Sequence, residues 1–451
     1  MLGFALFVSL VASSVVAFIP ALRFARGGEA LALRSAGRAM ASSRGSAWQR
    51  WFVVAEVALS VVLVIGTALL LRSLSSLLDV NPGFRPARVV TAELSMSSRR
   101  YPRYPRADAR VRFVTRAAAD IAALPGVEAV GLALVVPLSG QDAGHTFATS
   151  EMVAEIVASS RALPPAKYRP VTPGYLDAVG TRLLSGRDFT WRELEEYRLV
   201  SIVDEKLAAT AWPGESALGK RLRVEVWSTS TGSIHLEPLW TEVIGIAENV
   251  RSARLGEEDP ETVYLPYGLY AVSELSLLVR SSADAASMTK PIRGVIEDLD
   301  PDMAVFNTRV MEDFVADSIA PERFSLDLLT AFGVTGLALA LIGLYGVLSH
   351  LVTLRRREMG LRMALGARAS DVRRFVMARG ARLVGTGILI GLVAASALTR
   401  FLTAQLYAVS PVDWKVYTAV TLLTLSVSLA ACYLPARRAS KLDPIAALRL
   451  E

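Results

Sequence analysis

FVVAEVALSVVLVIGTALLL, residues 52–71, is a run of twenty residues whose only charge is Glu56. Twenty residues of α-helix rise about 30 Å, the thickness of a bilayer's hydrocarbon core. A helix of this length with no polar face reads as a membrane span. Four further windows repeat the pattern with few or no charges: Leu2–Ile19, Leu328–Val352, Leu383–Leu402 and Val416–Leu434. Across the 451 residues the hydrophobic fraction is 52% and the mean hydropathy +0.40, and the apolar residues are clumped rather than spread. The expected fold is a multi-spanning α-helical membrane protein with five transmembrane helices.

The formal net charge of +7 is unevenly distributed. Residues 20–50 hold six arginines against Glu29, and residues 355–382 hold nine against Glu358 and Asp371. The tail from 435 holds four basic residues against Asp443 and Glu451. Between these lies a long insert, residues 79–320, with 26 basic and 33 acidic residues. Basic residues crowd the short cytoplasmic loops of membrane proteins. The three basic segments are therefore expected in the cytoplasm and the insert outside it, and five spans alternate sides without conflict. The positive charge is topological, so no nucleic-acid partner is expected. The single cysteine, Cys432, falls in the last span and cannot staple the outer domain. No Lys or Arg precedes the first span and arginines follow it, the reverse of a secretory signal. That span is expected to have its N-terminus outside.

The span that begins at Gln49-Arg50-Trp51 continues to about Leu78, where Asn81-Pro82-Gly83 stops it. Another starts near Pro321, a favoured first-turn residue, and runs to about Arg357. Both overshoot the bilayer on the outer side, so segments 49–79 and 321–357 read as spans with stalk extensions. The insert, 80–320, has a mixed α/β pattern. Strands are expected at Val89–Leu94, Ala129–Val136, Val200–Val203, Leu222–Val226, Glu242–Ile246, Leu275–Val279 and Ala304–Phe306. Helices are expected at Ala107–Leu124, Ala285–Leu299 and Val310–Ser318. Residues 140–167 and 228–240, rich in small and polar side chains, read as loops.

The loop at 358–382 and its flanks, RRREMGLRMALGARASDVRRFVMARGARLV (355–384), reads as two helices. The first, about Arg356–Leu365, puts Met359, Met363 and the Leu361/Leu365 pair on apolar faces and ends at Gly366. The second opens with Ser370 as N-cap and Asp371 in its first turn. Val372, Phe375, Val376 and Leu383 then lead it into the segment 383–434, which holds two spans joined by a short outer loop.

No catalytic constellation emerges. Gly214-Glu-Ser-Ala-Leu-Gly219-Lys220-Arg221 approaches the phosphate loop GxxxxGK[ST], but an arginine stands where Ser or Thr should hold Mg²⁺. His145, His235 and His350 are scattered, no metal set forms, and no GxSxG elbow occurs. The pairs Glu195-Glu196 and Glu257-Glu258-Asp259 read as solvated loops. Glu56 is an intramembrane carboxylate, a functional candidate by position. The simpler reading, which we favour, is a residue near the cytoplasmic interface that snorkels or pairs with an arginine. Gly387 and Gly391 permit close helix packing and lend weak support to oligomerisation.

Arg357-Glu-Met-Gly-Leu-Arg-Met-Ala-Leu-Gly-Ala367 resembles the R-E-[IM]-G-[IL]-R-x-A-L-G-A signature of MacB/FtsX-type ABC transporter permeases. The ending from Tyr433 to Arg449 is similar to that family's P-A-x-x-A-x-x-x-x-P-x-x-A-L-R. Tyr175–Phe189 and Trp212–Leu222 look like segments of its periplasmic core domain, which makes the imperfect phosphate loop a family turn. The resemblance implies a permease unit of four spans with its periplasmic domain, 80–320, between the first two. It implies a coupling helix of Glu358, Met359, Gly360, Leu361, Arg362, Met363, Ala364, Leu365 and Gly366 that docks on an ABC ATPase subunit.

The partners it implies are that ATPase, a second permease unit, membrane lipid and a periplasmic protein. ATP and Mg²⁺ would be bound by the ATPase, with no cofactor on this chain and no enzymatic activity of its own. The location implied is the bacterial cytoplasmic (inner) membrane. PALRFARGGEALALR (20–34) echoes PARRASKLDPIAALR (435–449). Residues 1–48 thus resemble the last span and cytoplasmic tail of a preceding unit, as in the duplicated-permease (ADOP-like) branch, and 435–451 is the tail of the second. The implied function is mechanotransmission: ATP-driven change reshapes the periplasmic domain to export or extract a lipophilic or peptide substrate. The alternative is an FtsX-like regulator or sensor that transports nothing and acts on an extracytoplasmic partner.

Overall fold

The computed structural model describes residues 38–102, 108–140, 144–153, 162–228, 235–252, 254–256, 261–365, 368–400 and 406–440. The chain divides into two units, Met1–Leu71 with Leu326–Glu451, and Arg72–Ser325. Among the described residues four helices are long and apolar enough to cross a membrane: Trp48–Leu78, Ala320–Leu354, Ala369–Leu398 and Trp414–Ser440. The expected span at Leu2–Ile19, and with it the echo at 20–34, lies outside the described residues. Residues from Arg38 onward are helical and continuous with the first described span.

The first two of these helices have 31 and 35 residues. At 1.5 Å per residue they are about 46 and 52 Å long, well beyond the ~30 Å of a hydrocarbon core. The second ends at Leu354 rather than the expected Arg357, because Arg355 leaves helical geometry to cap the next helix. The last continues through Pro435 to Ser440, past its expected end at Leu434. A proline inside a helix removes one backbone hydrogen bond. Here Pro435, Ala436 and Ala439 are all buried, so packing outweighs that loss.

In the first unit, Val53, Val57, Val61, Ile65 and Leu69 recur every four residues and are essentially inaccessible. Such a row forms one ridge along a helix. It packs in one cluster with Ala340, Leu344, Leu348, Val384, Ile388 and Ala395. Gly387 and Gly391 belong to this contact. A Cβ on Gly387 would lie 2.7 Å from the Val57 Cβ, and one on Gly391 2.8 Å from the Ala58 carbonyl oxygen. The pair thus serves close packing inside one bundle, which removes its support for oligomerisation.

The second unit is built on an eleven-stranded sheet. Its strands are β1 (Val89–Ser95), β2 (Val127–Ala133), β3 (Gly144–Thr146), β4 (Pro165–Val171), β5 (Leu183–Gly186) and β6 (Val200–Asp204). They are followed by β7 (Arg221–Ser228), β8 (His235–Ala247), β9 (Glu261–Pro266), β10 (Glu274–Ser281) and β11 (Ala304–Val310). The order is β11-β1-β10-β2-β4-β9-β6-β8-β5, with β3 on β4 and β7 on β8. Among the described residues, only β4–β9 and β6–β8 pair in parallel. The stretches 140–167 and 228–240, expected as loops, hold β3, the start of β4 and the first residues of β8. The β7–β8 hairpin pairs residue for residue from Arg221–Glu242 to Ser228–His235, so cross-strand pairing overrides the polar composition.

Among the described residues, two clusters contribute to the core of this unit. Helix Asp108–Ala122 presents Val114, Ala117 and Ile121, and helix Thr289–Leu299 presents Ile292 and Ile296, to Leu94, Leu132, Leu277 and Val279. The second cluster gathers Tyr168, Leu207, Val224, Val243, Val263 and Leu265. Asp204, fully buried at the end of β6, joins three segments around it. It accepts the Leu207 N–H at 2.7 Å, the Asn249 side-chain amide at 2.7 Å and the Thr262 N–H at 3.0 Å. Burial pushes its carboxyl up to about 6, against the pull of those donors.

Glu193 shows the opposite balance. It accepts a forked pair of hydrogen bonds from Arg187, at 2.6 and 2.9 Å, and the Thr190 N–H at 2.9 Å. Chiefly because of Arg187, its carboxyl is held down to about 2. Such a group stabilises the fold above its ordinary value near 4.5, and that contribution is lost as pH falls towards 2. The unfolding midpoint of the wild type is therefore expected to fall more steeply than that of Glu193→Gln between pH 4.5 and 2. Parallel curves would refute this.

Candidate functional site

The signature stretch forms a short helix, Arg356–Ala364, followed after Arg368 by the long helix Ala369–Leu398. Glu358, Met359, Gly360, Leu361, Arg362, Met363 and Ala364 lie in the short helix, and Leu365 caps its end. Gly366 lies outside the described residues. The cap of the next helix is Arg368 rather than the expected Ser370, because the Asp371 carboxylate reaches back to the Arg368 N–H at 3.0 Å.

Successive helical residues turn by about 100°, so positions 359 and 363 lie opposite positions 361 and 365. The structure separates these apolar pairs. Met359 is buried and Met363 half-buried, both in the bundle cluster with Val372 and Val376. Leu361 and Leu365 point away, 51% and 80% exposed. A charged clip holds the helix between these faces. Glu358 accepts from Arg362 at 2.6 Å and from Arg355 at 3.3 Å. The Arg362 and Arg355 guanidinium groups also lie 5.5 and 6.0 Å from the centre of the Phe375 ring. Cation–π contact of this kind steadies both arginines. Neither Arg355 nor the Phe375 role was found from the sequence. The i, i+3 and i, i+4 spacing of Arg355, Glu358 and Arg362 was the available signal.

Glu56 is half-buried in its span. Its Oε2 is buried and without a hydrogen-bond partner among the described residues, and no ion pair to an arginine forms there. It faces Gly343 on the Ala320–Leu354 helix, where any Cβ would collide with that oxygen. The near phosphate loop is a turn into a strand. Gly214 and Gly219 take φ of +78° and +77°, Gly219 donates to the Val243 carbonyl at 2.8 Å, and β7 follows at once. Lys220 pairs with Glu215 and lies 5.8 Å from the Trp212 ring centre. A phosphate loop needs a helix N-terminus where β7 starts. His145 stacks on Tyr168 at 4.6 Å, and the Tyr270 hydroxyl lies 2.5 Å from its Nε2.

Two family profiles match the chain: FtsX-like permease C-terminal over residues 330–444, and MacB-like periplasmic core domain over residues 53–295. The second alone covers more than half of the protein, which belongs to the MacB/FtsX-type family of ABC transporter permeases. It is 25% identical over 317 residues to the uncharacterized ABC transporter permease YknZ of Bacillus subtilis (strain 168), covering 67% of this chain and 76% of that one. It is 26% identical over 355 residues to the macrolide export ATP-binding/permease protein MacB of Marinobacter nauticus, covering 74% of this chain. It spans 48% of that MacB, about half its length. The solved periplasmic region of MacB from Actinobacillus actinomycetemcomitans aligns over 54% of this chain and 98% of its own, at 15% identity and a TM-score of 0.33. The periplasmic core domain profile and the four apolar helices together make the chain a membrane protein with an extracytoplasmic mixed α/β domain.

Proposed function

We propose that this permease couples ATP hydrolysis by a separate ABC ATPase subunit to movement of its periplasmic domain, in the bacterial cytoplasmic membrane. The movement exports or extracts a lipophilic or peptide substrate. One observation carries the reading: the short helix anchors Met359 and Met363 in its own bundle while offering Leu361 and Leu365 outward. A helix that is fixed on one side and apolar on the other suits docking in a groove of a partner. Glu358 and Arg362 supply the polar rim. ATP and Mg²⁺ sit on the ATPase, and a second permease unit completes the transporter.

The test is co-purification of the full chain with candidate ATPase subunits, followed by ATP hydrolysis measured with candidate substrates. Nucleotide-dependent association and at least about two-fold stimulation by a lipophilic or peptide compound are expected. Stimulation only by an extracytoplasmic protein would favour the regulator reading. No association with any ATPase would defeat both.

A further inference from the structure

The chain leaves its first span at Leu78 and reaches β1 at Val89 through a linker with little regular structure. A free linker of this length would absorb movement rather than transmit it. Instead it is held at several points along its length. The Asn81 side-chain amide donates to Glu248 at 3.1 Å, and Glu248 is forked onto Arg182 at 2.9 and 3.1 Å. The Pro82 carbonyl accepts the Arg251 N–H at 2.9 Å, and the Arg85 N–H donates to the Val179 carbonyl at 3.0 Å. The Arg88 carbonyl accepts the Ser281 N–H at 3.0 Å.

One side chain ties these contacts together. Arg280, on β10, donates from Nη2 to the Arg85 carbonyl at 2.7 Å, from Nη1 to the Ala87 carbonyl at 3.1 Å and from Nε to the Asp177 carbonyl at 3.2 Å. All three bonds come from a rigid planar fork, which a lysine ammonium cannot reproduce. Space for the fork depends on Gly180, which ends the Tyr175–Val179 helix at φ +78°. A Cβ there would lie 2.7 Å from the Arg280 Nη2. The last strand of the domain and the helix after it meet the same linker, since Val90 of β1 pairs with Val310 of β11 and the Arg88 N–H donates to Glu312 at 3.3 Å.

We propose that Arg280 is a positioning residue for force transmission, locking linker 82–88 to the Tyr175–Val179 helix and β10 so that movement of the first membrane helix reaches the sheet undamped. This rests on the mechanotransmission reading above. The test uses the full chain assembled with its ATPase in lipid nanodiscs, wild type beside Arg280→Lys. Hydrogen exchange across β1, β10 and β11 is compared with and without a non-hydrolysable ATP analogue, and ATP hydrolysis is measured in parallel.

In the wild type the nucleotide is expected to change exchange in these strands. In Arg280→Lys that change should shrink at least about five-fold, with ATPase association and basal hydrolysis kept within about two-fold and the unfolding midpoint unmoved. The Arg85 amide should exchange at least about ten-fold faster without nucleotide. An undiminished nucleotide response in Arg280→Lys overturns the proposal. So does a lowered midpoint with faster exchange everywhere, which would make Arg280 a residue of the fold alone. A wild-type chain that binds no ATPase would instead defeat the mechanotransmission reading itself.

Discussion

Replacing both Leu361 and Leu365 with aspartate is expected to abolish capture of an ATPase subunit while the permease stays folded. Both leucines face outward from the Arg356–Ala364 helix, and their exposure means that the monomer loses little packing when they change. Docking would remove them from water. Burying a leucine side chain stabilises a contact by about 1.5–3 kcal/mol. Two of them are worth about two to four orders of magnitude in Kd, and two buried carboxylates would weaken the contact further. Affinity for the ATPase, measured on purified components, should fall at least about 100-fold with an unchanged thermal midpoint. Met359→Ala is the contrast. That side chain is buried in the bundle, so its loss should lower stability by about 2–5 kcal/mol. Capture that survives in the double aspartate variant would remove the helix from its proposed role.

Asp204→Ala is expected to be among the most damaging single substitutions in the outer domain. The carboxylate accepts from a helix N-terminus, from the Asn249 side chain and from the backbone of β9. Alanine would strand the Leu207 and Thr262 N–H groups in a site with no solvent access. Each unsatisfied buried group costs about 1–3 kcal/mol, the Leu207 N–H being the one that the helix cap satisfies. A total of about 2–6 kcal/mol is comparable with the whole stability of many domains. Thermal unfolding of the purified chain should show this as a large drop in midpoint or failure to accumulate. A midpoint within a few degrees of wild type would contradict the account.

The four described spans, the outer position of the insert and the short helix at Arg356–Ala364 were legible because each follows from one-dimensional quantities: hydropathy, charge and spacing. The membrane-facing helices need no tertiary information to declare their length. The strands that escaped notice are those whose composition hides their burial. β4 carries Lys167 and Arg169, both almost fully buried, and ends at Pro170-Val171. Such a stretch reads as solvated until its neighbours β2 and β9 are known. β9 is buried on both faces, so no alternation marks it. In the Arg356–Ala364 helix the spacing placed two methionines and two leucines on apolar faces. Which pair turns inward is decided by Val372, Val376 and the bundle, and no local pattern encodes that. The same holds for Gly387 and Gly391, whose partners lie on a distant segment of the chain.

The antiparallel pairing of β1 with β11 has a consequence beyond the motion of one molecule. The first and last strands of the outer domain lie side by side, about 5 Å apart. The two ends of the sheet-forming segment are therefore adjacent. Bringing two chain ends together across a long insert costs little more than across a short one. Inserts that keep their ends adjacent are exchanged most readily. The membrane helices could accept a different extracytoplasmic body at the same seam, between Leu78 and Ala320. One set of membrane helices can in this way serve many outer domains, each diverging at its own rate.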